Sequence, residues 1–265
     1  MTTATGHAVA IMARMGYAAR GIVYLLVGGL AAVAATGQGG QTTGSRGALE
    51  RLLTAPLGHA LLAALALGLI GYALWRCVQA IKDTDDHGHG PKGVTIRLSL
   101  LVSAITHTLL AVFALSLTIS IGDDSSGGNS RSLANWLMQQ PFGRWMVAAV
   151  GAVMLGAGFG HAKKGATAQF HQHFDMPSLV QVWAYPICRF GLAVRGLVFL
   201  ITGTFFVIAA YQIEPDEAGG MAEMFDAFRS SPFGTWLIGF VALGLVAFGT
   251  YSLLEAIYRR VEPDS

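Results

Sequence analysis

The sequence predicts an all-α membrane protein with six transmembrane helices, arranged as three tandem two-helix repeats. Two observations lead to this fold class. The chain is 53% hydrophobic and only 12% charged, about half the charged content of soluble domains. It also contains uncharged stretches that are long enough to cross the roughly 30 Å hydrocarbon core of a bilayer at 1.5 Å per residue.

Six apolar stretches are candidates for these crossings. Three span the bilayer without any charged residue, namely residues 52–75, 98–122 and 232–254. Three shorter ones reach full length only if a charged or polar residue is admitted at one end, namely residues 21–36, 145–160 and 196–213. Counting all of them gives six predicted spans.

A motif that begins at Arg14 recurs along the chain and reveals an internal repeat, which should be sought before any other interpretation. An offset of 83 residues places Arg14 on Arg97, and an offset of 175 places it on Arg189. The predicted units are repeat 1 (10–83), repeat 2 (92–165), a cytoplasmic linker (166–186) and repeat 3 (187–260). Because each two-helix unit returns to its starting side, we expect the repeats to be related by a pseudo-threefold axis along the membrane normal.

Small residues follow the same register. The aligned positions are Gly21, Ala104 and Gly196, and, seven residues later, Gly28, Ala111 and Gly203. Residues seven apart share one helix face, and small side chains there let helix backbones approach closely in lipid. The sequence therefore predicts that these six positions pack against other helices.

The second helix of each repeat follows proline. Pro56, Pro141 and Pro232 each precede a glycine by two residues, which is typical of a helix start. Short amphipathic segments lie just before these prolines, and we expect them to form brief helices in the membrane interface.

Lysine and arginine near the span ends predict the orientation. With the N-terminus in the cytoplasm, the inner side collects Arg14, Arg20, Arg76, Lys82, Lys92, Arg97, Lys163, Lys164, Arg189, Arg195, Arg259 and Arg260, and the outer side Arg46, Arg51, Arg131, Arg144 and Arg229. The excess inside predicts a multi-pass protein of the cytoplasmic membrane with both termini in the cytoplasm.

The repeated motif resembles a known family. R-x-G-x-x-x-R-G-x-x-[YF] occurs at Arg14–Tyr24 and again at Arg189–Phe199, and it is similar to the bacterial membrane proteins built from three copies of domain of unknown function 1206. The middle copy differs, because Ser103 replaces the second arginine and His107 takes the aromatic position. The resemblance covers nearly the whole chain and implies fold and location, but it carries over no catalytic residue.

Two arginines inside the predicted spans require an explanation, because a charge at the bilayer centre costs about 2.5–3.5 kcal/mol. Arg20 and Arg195 could snorkel to the headgroups, or both could point inward and form a cationic vestibule that selects anions. Arg76 and Glu255 could join such a site, and Glu255 is a candidate ion-pair partner. His107 is the histidine placed well within a span, either packed between helices or lining the same space.

Four histidines in two predicted cytoplasmic loops form a candidate metal site. His87 and His89 lie in one loop, and His171 and His173 lie in the other, each pair beside carboxylates. The i, i+2 spacing suits zinc or another divalent transition metal. Loops also tolerate histidine and aspartate freely, so the pattern fits solvated loops as well.

The sequence leaves three functions open. A structural or accessory protein would bind other membrane proteins or a second copy, in addition to the lipid bilayer. A channel or permease would carry a small solute, with an anion as one candidate, and a third alternative is a metal-binding membrane protein. The net charge of +2 gives no reason to expect nucleic acid. The common catalytic motifs are missing, so an enzyme is not favoured and no cofactor is expected.

Overall fold

Helices make up almost all of the computed structural model, which describes residues 3–36, 44–119, 130–214 and 218–261. Six helices are long: α1 (Thr3–Ala35), α3 (Gly58–Lys82), α4 (Pro91–Thr118), α6 (Gly143–Thr167), α7 (Ser178–Gln212) and α9 (Gly234–Tyr258). Three are short: α2 (Ser45–Leu53), α5 (Ser130–Met138) and α8 (Met221–Arg229). A 3-10 helix covers Gln169–His173. Within the described ranges there is no β-strand, so the predicted all-α class is confirmed.

The six long helices are each long and apolar enough to cross a membrane, which confirms the predicted number of spans. Some boundaries differ from the prediction. Helix α7 begins at Ser178, inside the region predicted as a linker, and it continues through Pro186. Helix α4 begins at Pro91, seven residues before the predicted span, whose end at Gly122 lies outside the described residues.

The second long helix of each repeat also starts slightly later than predicted. Helices α3, α6 and α9 begin at the glycines, Gly58, Gly143 and Gly234, rather than at the prolines before them. A Cβ on any of these glycines would collide with the main chain of the preceding short helix. Glycine is therefore required where the chain reverses tightly into the membrane.

The helix contacts form a ring. Neighbouring repeats are joined by three interfaces, α3 with α4, α6 with α7, and α9 with α1. Helices of the same repeat pack in two pairs, α1 with α3 and α7 with α9. Because the last helix contacts the first, the three hairpins surround a common axis, as the predicted pseudo-threefold arrangement requires.

The ring has one opening. Among the described residues, α4 and α6 of the middle repeat share no packing comparable to that of the other two repeats. We call this opening the α4–α6 gap. Ser99 on α4 and Val153 and Ala157 on α6 occupy the positions that pack in the other repeats.

The residues at these positions explain the gap. In repeat 1, Gly16 lies directly against the backbone of Tyr72, and in repeat 3 Gly191 lies against Phe248. Repeat 2 has Ser99 and Ala157 at the corresponding positions. A side chain replaces the glycine that permits close approach, and the aromatic ring that would fill the interface is absent.

A second set of equivalent positions also explains the α4–α6 gap. Gly68 lies against Ala19, and its equivalent Gly244 lies against Val194. Repeat 2 has Val153 there, and this valine is 41% exposed. The gap therefore follows from the sequence of the middle repeat.

The predicted packing residues lie between repeats. A Cβ on Gly21 would stand 3.0 Å from the carbonyl oxygen of Gly249, and one on Gly203 would stand 3.0 Å from that of Gly151. Gly28 lies against Ala242 and Val246, and Gly196 lies against Gly158 and Ala162. Ala104 and Ala111 are buried on α4, which packs against α3. These glycine faces are therefore filled by neighbouring helices of the same chain.

Candidate functional site

The first arginine of each repeat caps a helix of the preceding repeat. Its guanidinium donates to two main-chain carbonyl oxygens at the C-terminus of that repeat's second long helix, α9, α3 or α6. The pairs are Arg14 with Ala256 and Ile257, Arg97 with Ala80 and Ile81, and Arg189 with Gly165 and Ala166, at 2.6–3.1 Å. A cation there satisfies orphan carbonyls and complements the helix dipole. The three caps join the repeats cyclically at one end of the bundle, which we call the capped end.

The second arginine of repeat 1 lies inside the bundle near the capped end. Arg20 is 6% exposed. Its Nε donates to the Ser252 hydroxyl at 3.0 Å, one Nη donates to the Tyr72 hydroxyl, and the other forms an ion pair with the Glu255 carboxylate. This buried guanidinium joins α1 to α3 and α9.

Glu255 extends the network towards the C-terminus. Its second carboxylate oxygen accepts hydrogen bonds from the Tyr251 hydroxyl at 3.0 Å and from Arg259 at 2.8 Å. Arg259 also donates to both carboxylate oxygens of Asp85, at 3.0 and 3.2 Å. Glu255 therefore holds two guanidinium groups, and Asp85 in the loop after α3 shares one of them.

The chain of hydrogen bonds closes on itself. Gln79 donates to Asp85 at 2.9 Å, and Arg76 donates to the amide oxygen of Gln79 at 2.9 Å. The Nε of Arg76 then donates to the Tyr72 hydroxyl at 2.7 Å, which already accepts from Arg20. We call this closed set the polar ring, and its members are Arg20, Tyr72, Arg76, Gln79, Asp85, Arg259 and Glu255. Three guanidinium groups face two carboxylates, and Arg76 is held by Tyr72 and Gln79 instead of a carboxylate.

Asp85 lies in the loop after α3, outside the membrane spans. Burial by itself would raise the pKa of this carboxyl group. The attraction of Arg259, with smaller contributions from His173 and Arg76, outweighs burial, and the net pKa lies below the ordinary value of 3.8. Asp85 therefore carries its negative charge at neutral pH and neutralises Arg259.

Arg195 is the equivalent of Arg20 in repeat 3, but its surroundings differ. It is 9% exposed, and its guanidinium carbon lies 4.0 Å from the ring centre of Phe199, 4.5 Å from Tyr24 and 5.4 Å from Phe248. No carboxylate among the described residues pairs with it. Its Nε–H has no hydrogen-bond partner, and the Tyr24 hydroxyl is its polar side-chain neighbour.

The repeat register accounts for this difference. An offset of 91 residues aligns α6 with α9, and it places Lys164 at the position of Glu255 and His161 at the position of Ser252. An offset of 176 places Phe248 at the position of Tyr72. Each group that accepts a hydrogen bond from Arg20 is thus replaced at Arg195 by a cation, an imidazole or a hydrocarbon ring.

His107 and His161 lie on α4 and α6, the helices beside the gap. The Nδ1 of His107 is 2.7 Å from the carbonyl oxygen of Ser103, and that of His161 is 2.9 Å from Ala157. A carbonyl can only accept, so the proton is on Nδ1 in both rings. His107 packs against Tyr72 with ring centres 4.5 Å apart, so its hydrogen bond is to its own helix and its ring contact is to α3.

The four loop histidines are not brought together. His87 lies beside Asp83 and His89 beside Arg97, whereas His171 stacks on Tyr185. His173 lines a polar pocket of about 180 Å³ with Asp85 and Asp86. Within the described ranges, no three histidine, cysteine or carboxylate side chains are placed to hold a metal. The metal site predicted from the loops remains untested.

Sequence reasoning identified Arg20, Arg76 and Glu255 as a possible group, and the structure places all three in the polar ring. It did not identify Asp85, Gln79, Tyr72 or Arg259. One available signal was the aligned set Gln79, Lys164 and Glu255, three different polar residues at one inward-facing position. Asp85 offered no signal, because it lies in a loop outside the repeat register.

Comparison with known proteins was consistent with this architecture. The family described as Domain of Unknown Function (DUF1206) matches the chain three times, at residues 15–83, 98–168 and 190–259. The chain is also 32% identical over 254 residues to the uncharacterized protein YxxB of Bacillus subtilis (strain 168), covering 94% of this chain and 90% of that protein. No solved structure matches the chain.

Proposed function

Because the chain belongs to the DUF1206 family, with three copies that together form one membrane-embedded bundle, we propose that it is a structural or accessory membrane protein that does not conduct ions. The observation that carries this proposal is the polar ring. Its charged groups bind one another, in the part of the bundle where a permeating solute would need free ones.

A conducting site must bind a solute and release it again, so its polar groups have to be available. In the polar ring, Glu255 accepts from two arginines and a tyrosine. Breaking one buried pair leaves an uncompensated charge and costs about 3–5 kcal/mol. An anion passing here would have to displace Glu255 from Arg20 and Arg259 at that cost.

Apart from Arg195, the core cluster beyond the polar ring consists of apolar and aromatic side chains. Tyr24 and Phe248 pack edge to face with ring centres 4.9 Å apart. Val27, Val198 and Leu245 are almost fully buried in the same cluster. Close packing of this kind leaves a solute no polar partners.

We place the protein in the cytoplasmic membrane with both termini in the cytoplasm. The positive-inside rule supports this orientation, because the capped end carries Arg14, Arg97 and Arg189 together with the arginines of the polar ring. The lipid bilayer is its first partner. A second membrane protein or a second copy would contact the apolar lipid-facing side chains, since the glycine faces are filled.

One observation favours a second candidate function, a channel or permease for a small anionic solute. Arg195 is buried and lacks a carboxylate partner among the described residues, as an anion-selective site requires. An anion-efflux assay separates the two functions. Purified protein is reconstituted into liposomes loaded with chloride or phosphate, beside empty liposomes and liposomes that contain a known anion channel.

We expect efflux equal to that of empty liposomes. Efflux above that level, lost in Arg195→Gln but retained in Lys163→Gln, would establish the channel instead. For the accessory role, native mass spectrometry of membrane discs excised without detergent should show an additional stoichiometric protein mass. A monomer that carries only lipid would contradict it.

A further inference from the structure

We propose that Arg195 is a binding site for the oxyanion headgroup of an anionic lipid, which enters from the bilayer through the α4–α6 gap. This inference goes beyond the accessory role, because it assigns a ligand to a group that the polar ring does not use. It rests on the missing carboxylate at Arg195, the open side of the ring and the height of the site in the membrane.

The first step concerns charge. Arg20 and Arg195 occupy equivalent positions and are almost equally buried, at 6% and 9% exposure. Arg20 has Glu255, whereas Arg195 has Lys164 at the corresponding position. A buried guanidinium without a counter-charge is costly. Aromatic faces offset part of this cost, because a desolvated guanidinium is attracted to the face of an aromatic ring, and an external anion would supply the rest.

The second step concerns hydrogen bonds. A guanidinium presents a planar set of N–H donors that matches the paired oxygens of a phosphate or carboxylate. The Nε–H of Arg195 is buried and unpaired. The Nε2 atoms of His107 and His161 are acceptors, since Nδ1 carries the proton in both rings, so they offer no donor to an anion and the guanidinium of Arg195 has to supply the hydrogen bonds. The Nε–H of Arg195 is thus a free donor for an oxyanion.

The third step concerns access. His107 is on α4 and His161 is on α6, the two helices that flank the gap, and His161 and Arg195 both contact the rings of Phe199 and Phe248. Val102 and Val153 near the gap are 40% and 41% exposed. The opening faces lipid, so its natural occupant is a lipid molecule whose chains cover the exposed apolar side chains and whose headgroup reaches Arg195.

The fourth step concerns depth. Arg189 caps the C-terminus of α6 at Gly165 and Ala166, so this level marks the capped end. Arg195 follows Arg189 by six residues on α7, or about 9 Å along the helix. The headgroup region of one leaflet is about 5–7 Å thick. A lipid headgroup would need to descend only slightly below its usual level to meet the guanidinium, whose flexible stem can shorten the distance.

The test measures lipid binding to the full-length protein in a neutral detergent. Phosphatidylglycerol, phosphatidylcholine or inorganic phosphate is added, and binding is followed by native mass spectrometry and by the shift in the unfolding midpoint. We expect phosphatidylglycerol to bind at least tenfold more tightly than phosphatidylcholine. Arg195→Gln should abolish this preference, and Lys163→Gln, which removes an exposed cation from the same end of α6, should retain it.

Arg195→Gln could fail to fold, so a second variant keeps the proposal open to test. Lys164→Glu, on α6, would give Arg195 of repeat 3 the carboxylate that Glu255, on α9, gives Arg20 of repeat 1. We expect it to raise the unfolding midpoint without lipid and to remove the preference for phosphatidylglycerol.

Equal binding of both lipids by the wild type, or an unchanged preference in Lys164→Glu, would overturn the proposal. Tight binding of inorganic phosphate alone would show a site for a free anion and overturn the lipid assignment. These outcomes are independent of the efflux measurement, so failure of one proposal does not decide the other.

Discussion

Arg20 on the first transmembrane helix and Glu255 on the last form a buried ion pair that closes the ring of three repeats. Arg14 reinforces the same junction six residues earlier by capping the end of α9. Polar contacts between apolar helices matter more in lipid than in water for choosing neighbours, because hydrophobicity alone does not select them. The pair therefore fixes which helices meet.

Removing this carboxylate should destabilise the protein strongly. Glu255→Gln leaves Arg20 and Arg259 without their shared counter-charge, and breaking a buried pair costs about 3–5 kcal/mol. We expect a large drop in the free energy of unfolding, measured by denaturant titration in detergent micelles. Glu214→Gln, an identical change at an exposed position, is the control and should be neutral. Equal stability of the two variants would show that the pair contributes little.

Two adjacent glycines on α1 allow a matched test of helix packing. A Cβ on Gly28 would lie 2.8 Å from the backbone nitrogen of Val246, whereas one on Gly29 meets nothing within 4 Å. Overpacking costs about 1–3 kcal/mol. Gly28→Ala should lose that much stability, while Gly29→Ala should be neutral or slightly stabilising because alanine favours helix. Similar midpoints for both would argue against the close α1–α9 contact.

The three capping arginines should be equivalent. Each donates to the last carbonyl oxygens of α9, α3 or α6 near the surface, where a cation stabilises the helix by about 1 kcal/mol. Arg14→Ala, Arg97→Ala and Arg189→Ala should therefore each lower the free energy of unfolding by a similar amount, and Lys163→Ala should not. If one of them had no effect, the caps would not share one role.

The stability of the capped end should decrease in acid. The pKa of Asp85 is lowered, because Arg259 outweighs burial, so its contribution is present above 3.8 and is lost as the pH falls through the folded-state value. Burial and Arg259 lower the pKa of His173 from 6.5, so protons bind the unfolded chain first and stability also declines below pH 6.5.

Unfolding midpoints recorded from pH 7 to pH 3 should fall for the wild type and fall less steeply below pH 4 for Asp85→Asn. Asp226→Asn, at an exposed position, should keep the wild-type slope. A slope unchanged in Asp85→Asn would mean that other groups carry the acid sensitivity.

The orientation of the chain can be checked directly. Both termini should lie in the cytoplasm, because six spans return the chain to its starting side and the capped end carries most of the cations. A fluorescent protein fused to either terminus should fluoresce, and alkaline phosphatase fused there should be inactive. Active phosphatase at either end would reverse the assignment.

Much of the fold was predictable because lipid imposes simple rules on sequence. Uncharged length predicted the spans, and the motif at Arg14 predicted three equivalent units. The same offsets correctly aligned Arg14, Arg97 and Arg189, whose common role as caps became visible only with their partners. Glu255 was a candidate ion-pair partner because it lies near the inner end of the last predicted span.

Other parts of the site were not predictable. Asp85 lies in a loop, and Arg259 lies at the last helix end, where an arginine is expected for topology alone. The gap left a trace in Ser99, Val153 and Ala157, but a serine or valine in an apolar helix has many harmless explanations. Only the structure shows that these residues lie where the contact between α4 and α6 is missing.

The sequence by itself determined the number of crossings, the triplication and the residues that stand in equivalent places, because helix length, charge exclusion and periodicity are properties of local segments. Tertiary structure alone decided which arginine is neutralised and which side of the ring is open. Arg20 and Glu255 are 235 residues apart, and their pairing depends on the first helix meeting the last. Arg195 lacks a counter-charge because α6 presents Lys164 at the corresponding position.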